Sequence, residues 1–317
     1  MAVPAGEDRD SFRHIALTYG SPQEYLDYLV PFVSDAVTEG VPVLVAVPGP
    51  SLALLRSALS AGTFDAVTAV DMSLAGRNPG HILGGVFGAF AARHRSSPVK
   101  MVGEQIWHGR SPQEYSACLQ HEALVNEAFA GRDATVVCPL DATHVDSATL
   151  VDAEITHPRV SRGGSGDRAS TTFAPEAAWE RCNEPLPGNP TAASYALHRL
   201  ADLAGARQFC ARYARWFGLT ADAIADLQLI VNELATNSLQ HGRRPITLLL
   251  WESAGYLVCQ VRDAGHLTDR LAGRRPIVGD VDDGRGLYVV NATADLVRIH
   301  AAPTGTTVQA HLRMRRG

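Results

Sequence analysis

Glu233 and Asn237 stand four residues apart in the run NELATNSLQHG, 232–242. On a helix that spacing puts a carboxylate and an amide on one face. The pair suits a general base beside a metal ligand, although solvated helix faces carry the same pattern often. Further on, VRDAG (261–265) sets Asp263 at a strand end ahead of a glycine turn. A carboxylate so placed can accept a hydrogen bond from a polar ring edge, and an ordinary Asx turn uses the same residues. DDGRGLYVV (282–290) flanks Arg285 with Gly284 and Gly286 and leads into a helix near Leu287. The N–H groups of such a loop, with a helix N-terminus behind them, suit phosphate oxygens. GTTV (305–308) places Thr306 just ahead of the last strand.

The elements that must hold these residues follow from periodicity and punctuation. A helix runs from Thr220 to about Gln240 and stops at Gly242. TLLLWE and YLVCQVRD read as two strands joined by a Ser-Ala-Gly turn. ASYALHRL reads as a strand, and Asp202 as the cap of the next helix. On that helix Phe209, Tyr213, Trp216 and Phe217 recur at helical spacing and read as core. A Walker-type phosphate loop requires Gly-Lys-Ser/Thr, but the only lysine, Lys100, follows Val99. The first strand ends TYGSPQ, without a dinucleotide-binding glycine loop.

Taken in order, E-x-x-x-N, D-x-G, G-x-G-L and G-T resemble the four boxes of the GHKL (Bergerat) ATPases, most nearly the anti-sigma-factor serine kinases. The resemblance covers about 120 residues, to Gly317, and implies an α+β fold, a sheet layered against helices. It also assigns roles. Asn237 holds Mg²⁺, and Asp263 accepts the adenine amino group while Gly265 lets the ring approach. Gly284, Arg285, Gly286 and Leu287 form the phosphate loop, Thr306 lies near the base, and Glu233 is the general base. Leu267 departs from the family's D-x-G-x-G and unsettles the expected lid geometry.

The front half alternates apolar runs with helices: 14–19, 41–47, 65–72, 97–103 and 134–140 read as buried strands. Ser21-Pro22 opens a helix that Gly40 closes, and Ser111 to Gly131 repeats that grammar. The alternation predicts an α/β domain with a mostly parallel sheet over residues 1–155. HPRVSRGGSGDRASTTF and EPLPGNP are too polar and too rich in Gly, Ser and Pro to fold alone. They predict a linker over 156–190, interrupted by one short helix in FAPEAAWERC, ahead of a second domain at 191–317.

HIALTYGSPQEYLDYLVPFVSDAVTEGVPVLV, GEQIW (103–107), HEALVN (121–126) and CPLD (138–141) are similar to the MEDS sensory domain of methanogen and methylotroph regulators. That resemblance implies a RecA-like core without a Walker loop. Ligands in open α/β sheets sit beyond the carboxyl ends of the strands. Asp71, Glu104 and Asp141 follow three predicted strands, with Trp107 close to Glu104. They form a candidate sensory pocket for an unknown small ligand, while helix capping and loop bonding would use the same residues. Glu122 and Asn126 share a helix face.

Composition narrows the rest. A net charge of −5 leaves no electrostatic footprint for nucleic acid. No apolar run reaches a membrane span, and the first residues do not read as a signal peptide, so the expected compartment is the cytoplasm. The five cysteines, Cys118, Cys138, Cys182, Cys210 and Cys259, are scattered without a C-x-x-C, which argues against a disulfide framework and a zinc site alike. The two resemblances together predict a regulator that binds Mg–ATP, sequesters a sigma factor and phosphorylates an anti-sigma antagonist on serine, possible as a homodimer. The rival readings are an ATP-binding module without kinase activity and a sensor histidine kinase.

Overall fold

The computed structural model describes residues 12–163, 165–277 and 285–314. They divide into two compact units, one holding the chain up to Gly76 and Val86–Trp179, the other Arg77–Gly85 and the chain from Glu180.

The front unit is built on β1 (Arg13–Tyr19), β2 (Val43–Val47), β3 (Thr68–Asp71), β4 (Val99–Gly103) and β5 (Ala134–Asp141). With β6 (Arg159–Arg162) and β7 (Arg168–Ala169) they form one sheet in the order β3-β2-β4-β5-β1-β6-β7. Every neighbouring pair is parallel except β6 with β7. All five residues of β2 are buried, the signature of a strand covered on both faces. Helix α1 (Pro22–Thr38) opens at Ser21, whose hydroxyl accepts the Glu24 N–H, and the chain leaves it through Gly40 at φ +71°. Sequence periodicity passed over α2 (Gly49–Ala58). Helix α3 (Pro112–Ala128) begins with a capping box between Ser111 and Glu114, and α4 (Ser147–Thr156) with Asp146.

The expected linker at 156–190 is largely built into the fold. Strands β6 and β7 extend the front sheet, and a helix spans Pro175–Cys182. The side-chain amide of Asn183 both donates to the Ala301 carbonyl and accepts the Ala301 N–H, as a neighbouring strand would. Short edge pieces draw their stability from backbone pairing rather than from an apolar run, so a Gly/Ser-rich composition concealed them.

The rear unit carries an antiparallel sheet in the order β11-β12-β10-β9-β8, made of β8 (Ala193–Leu197), β9 (Ile246–Ser253), β10 (Tyr256–Asp263), β11 (Leu296–Ala302) and β12 (Gly305–Arg313). Helices α5 (Leu203–Trp216), α6 (Ala221–His241) and α7 (Arg285–Thr293) complete it, with α6 packed on β10 and on both other helices. Leu227, Ile230, Val231, Leu234 and Ala235 form the buried stripe of α6 and meet Leu248, Leu250, Cys259 and Val261 of the sheet.

Two expectations fail here. Asp202 does not cap α5; its carboxylate accepts the N–H groups of His198 and Arg199 and ties the end of β8 to a 3₁₀ turn. Trp216 is not core: it is 81% exposed at the end of α5, while Phe209, Tyr213 and Phe217 do pack on the core.

Residues 77–85 count with the rear unit although they lie between β3 and β4 in sequence. The Asn78 side chain donates to the Asn291 carbonyl (2.7 Å) and accepts the Val297 N–H (3.1 Å). Among the described residues no helix is long and apolar enough to cross a membrane.

Candidate functional site

The buried stripe of α6 fixes which of its residues reach solvent. Glu233 and Asn237 fall beside that stripe, half-buried and one turn apart, and both point at the first turn of α7. A Cβ added to Gly286 would lie 2.9 Å from Glu233 Oε2 and 3.0 Å from Asn237 Nδ2. Position 286 therefore takes no larger residue without displacing the two polar groups, and backbone approaches them directly. Glu233 is itself held: Arg207 donates to Asn232 Oδ1 (2.7 Å), and the Asn232 amide donates to Glu233 Oε1 (3.4 Å).

The second group gathers at the end of β10. Asp263 is buried, its Oδ2 accepting the Ser238 hydroxyl and its Oδ1 the Gly265 N–H, each at 2.7 Å. Each oxygen keeps a further acceptor site. Gly265 presses against Gly242 so closely that a Cβ would come within 2.8 Å of the Gly242 Cα. The Thr306 hydroxyl donates to the Gly265 carbonyl (2.9 Å) and accepts the Leu267 N–H (3.0 Å). Thr306 thus braces the loop that follows β10. Leu267 fits this loop without a left-handed backbone, so the family's glycine is not required at that position.

A cavity of about 500 Å³ opens among these elements, lined by Asn237, Asp263, Gly265, Arg285, Leu287 and Thr306 over an apolar floor that includes Leu234, Val261 and Val308. At its rim Asp269 and Arg275 form a two-pronged ion pair (2.5 and 3.1 Å), and the Arg275 bonds hold the Asp269 carboxyl below its ordinary range. Gly284 lies outside the described residues. The remaining rear-unit positions picked from the sequence converge on this one region. Sequence reading missed Ser238, the Arg207–Asn232 brace and the second role of Gly242, which had been read only as a helix stop. Ser238 sits next to Asn237 in the same run, but no spacing rule separates it from an ordinary helix serine.

In the front unit the four candidate residues part ways. Glu104 is buried, and burial, then the nearby charge of Asp141, pushes its carboxyl up to about 7 against the opposing pull of Ser51. Asp141 accepts from Thr143 and His144, the role of a loop-capping residue. Asp71 caps the helical turn that follows β3 through Ser73. Trp107 lies under the Arg110 guanidinium, 3.6 Å from ring centroid to Cζ. Glu104 and Asp141 feel each other, whereas Asp71 and Trp107 are engaged in local structure.

A family model for the MEDS (methanogen/methylotroph, DcmR sensory) domain matches residues 13–158. A second, for the histidine kinase-like ATPase domain, matches residues 197–312. No curated protein matches the chain. Among solved structures, that of the RsbU and RsbW domains of Rv1364c from Mycobacterium tuberculosis is similar at 19% identity and a TM-score of 0.32. The match covers 42% of this chain and 34% of that one, so the present chain spans about a third of its length. With the site geometry, the two family matches establish that this chain joins a MEDS sensory domain to a histidine kinase-like ATPase domain.

Proposed function

We propose that the rear domain binds Mg–ATP and transfers phosphate to a serine hydroxyl of an anti-sigma antagonist, in a regulator that sequesters a sigma factor under control of the front domain. The observation that carries this reading is the convergence of Glu233 and Asn237 on the backbone of Gly286. The residues present fit the nucleotide. Asp263 offers an acceptor at the cavity wall, Gly286 leaves a cradle that a Cβ would fill, and Asn237 offers a hard oxygen beside it. Bound Mg²⁺ would neutralise phosphate charge, the main demand of phosphoryl transfer. Arg285 and the opening turn of α7 supply donors on the same side. Glu233 Oε2 faces this point and is placed to accept the hydroxyl proton, with Asn232 orienting the carboxylate from its other oxygen. In the front domain the ligand site of this reading centres on Glu104 and Asp141.

A histidine kinase needs a phosphoacceptor histidine on a helical hairpin. His198 instead follows the end of β8, with its N–H bonded to Asp202. A module that binds ATP without using it is the remaining rival. Glu233→Gln separates the two: Mg–ATP affinity should change little, while single-turnover transfer should slow by about 10²–10⁴-fold. An unchanged rate would remove Glu233 from the chemistry. No transfer by the wild type to any antagonist encoded in the same genome would favour the binding module.

A further inference from the structure

Far from the nucleotide cavity in sequence, four side chains of the front domain turn their ligand atoms on one point. His14 comes from β1, Glu122 from α3, Cys138 from β5, and His157 from the residue after α4. All four are buried, none more than 2% exposed. Their Nε2, Oε2, Sγ and Nε2 atoms lie within 4.8 Å of one another. The individual gaps are 3.3 Å for His14–Glu122, 3.4 Å for His157–Glu122, 3.4 Å for Cys138–His14 and 3.5 Å for Cys138–Glu122. The two imidazole–carboxylate gaps are wider than an ordinary N–H···O bond of about 2.7–3.2 Å, while the two sulfur gaps lie within hydrogen-bond reach of a thiol. The four gaps match four of the six edges, each roughly 3.3–3.6 Å, of a tetrahedron drawn around zinc with its usual N, O and S bond lengths, and the other two separations are within 4.8 Å.

The neighbours of the four groups fix which atoms face inward. The Asn126 amide donates to the carbonyls of Glu122, Ala123 and Thr156, which leaves its oxygen turned to His14 Nδ1 at 3.1 Å. His14 must therefore carry its proton on Nδ1 and present the Nε2 lone pair to the cluster. His157 Nδ1 lies 2.9 Å from the Ala153 carbonyl, which imposes the same tautomer. His157 Nε2 has no hydrogen-bond partner outside the cluster, where Glu122 Oε2 lies 3.4 Å away. Gln105 donates to Glu122 Oε1, so Oε2 is the oxygen left for the cluster. Two lone pairs thus face a carboxylate and a thiol sulfur, an arrangement that repels itself unless a cation or extra protons sit inside. Anchoring the far nitrogen of each histidine is also how proteins orient metal ligands.

We propose that His14, Glu122, Cys138 and His157 bind one zinc-class divalent ion in a closed structural site. A thiolate, a carboxylate and two neutral imidazoles carry two negative charges, which the ion cancels, so the filled site is neutral in the interior. Sulfur and imidazole donors select zinc over magnesium or calcium. On binding, the metal–sulfur bond replaces the Cys138 S–H bond and the proton leaves to solvent. With four protein ligands and no solvent access, the ion would fasten β1 to the end of α4. The scattered cysteines that argue against zinc in the sequence mislead here because each ligand comes from a different element.

The test uses the untagged full-length chain, purified with reductant and without chelators. Elemental analysis should find about one zinc per chain, as expected of a closed four-ligand site. Reconstitution with Co²⁺ should give the intense visible bands of tetrahedral cobalt together with a sulfur-to-cobalt charge-transfer band. Cys138→Ser should lose that band and most of the metal. The proposal is overturned by a wild-type chain that stays substoichiometric after incubation with zinc and desalting. A cobalt spectrum without the thiolate band, or a folded Cys138→Ser that keeps the band, overturns it equally. If the variant does not fold, the wild-type metal content and cobalt spectrum decide alone.

Discussion

Asp263→Asn tests adenine recognition with little change of shape. Its two oxygens are already fixed, Oδ1 by the Gly265 N–H and Oδ2 by the Ser238 hydroxyl, both at 2.7 Å. An asparagine must keep its oxygen toward Gly265, because turning the amide would set N–H against N–H. Its NH₂ then takes the Ser238 side, where the serine can rotate and accept. The variant should fold, but it presents a donor where the ring's amino group needs an acceptor, and it has lost its charge. A hydrogen bond to a charged acceptor contributes about 1.5–3 kcal/mol, which corresponds to roughly ten- to a hundredfold in affinity. Calorimetric titration of the full chain with Mg–ATP reads this directly. Repeating it with a purine nucleoside triphosphate that lacks the 6-amino group isolates the bond: wild type should bind that analogue more weakly, and the variant should show almost no further loss. Wild-type affinity for ATP in the variant, or an equal penalty on the analogue, would refute the placement of the adenine ring.

Two further outcomes follow from the same geometry. Gly286→Ala puts a methyl 2.9 Å from Glu233 Oε2 and should reduce both Mg–ATP affinity and transfer at least tenfold, with the thermal midpoint nearly unchanged because the clash is relieved by moving half-exposed polar groups; titration and thermal melts check this. Glu104, with its carboxyl raised from 4.5 to about 7 by burial and then by Asp141, favours the folded state in its protonated form. That contribution is complete below about pH 4.5 and is lost as pH rises through 7, amounting to roughly 3 kcal/mol at most. Denaturant unfolding of Glu104→Gln and wild type at pH 5 and pH 8 should show the variant gaining relative stability at the higher pH, and a constant difference would contradict the assignment.

Where one strand or one helix carries the information, the sequence was readable. Ser21-Pro22 and Ser111-Pro112 announce α1 and α3, and continuous apolar runs announce β2 and β5. The residues that gather at the rear cavity could be picked out because they are glycine-punctuated and arrive in a fixed order along the chain. The bracing residues were not, since Arg207, Asn232 and Ser238 act through bonds formed only once α5, α6 and β10 are packed. The His14–Glu122–Cys138–His157 cluster is the extreme case. Its members are separated by up to 143 residues; the sheet order seats His14 of β1 beside Cys138 of β5, and the packing of α3 and α4 adds Glu122 and His157.

Asn78 carries a consequence for how this chain is made and cut. Its amide holds the last turn of α7 through the Asn291 carbonyl and the start of β11 through the Val297 N–H. The ribosome therefore delivers a fragment of the ATPase unit roughly a hundred residues before the rest of it, and that unit reaches its final form only by returning to an early stretch of chain. A gene fragment beginning near β8 would encode every residue named above that lines the rear cavity yet leave two backbone groups without this partner, at about 1–3 kcal/mol for each that stays buried. Domain exchange between such regulators would have to carry nine residues from the middle of the sensory sequence along with the ATPase, so the two modules are not separable at a single junction.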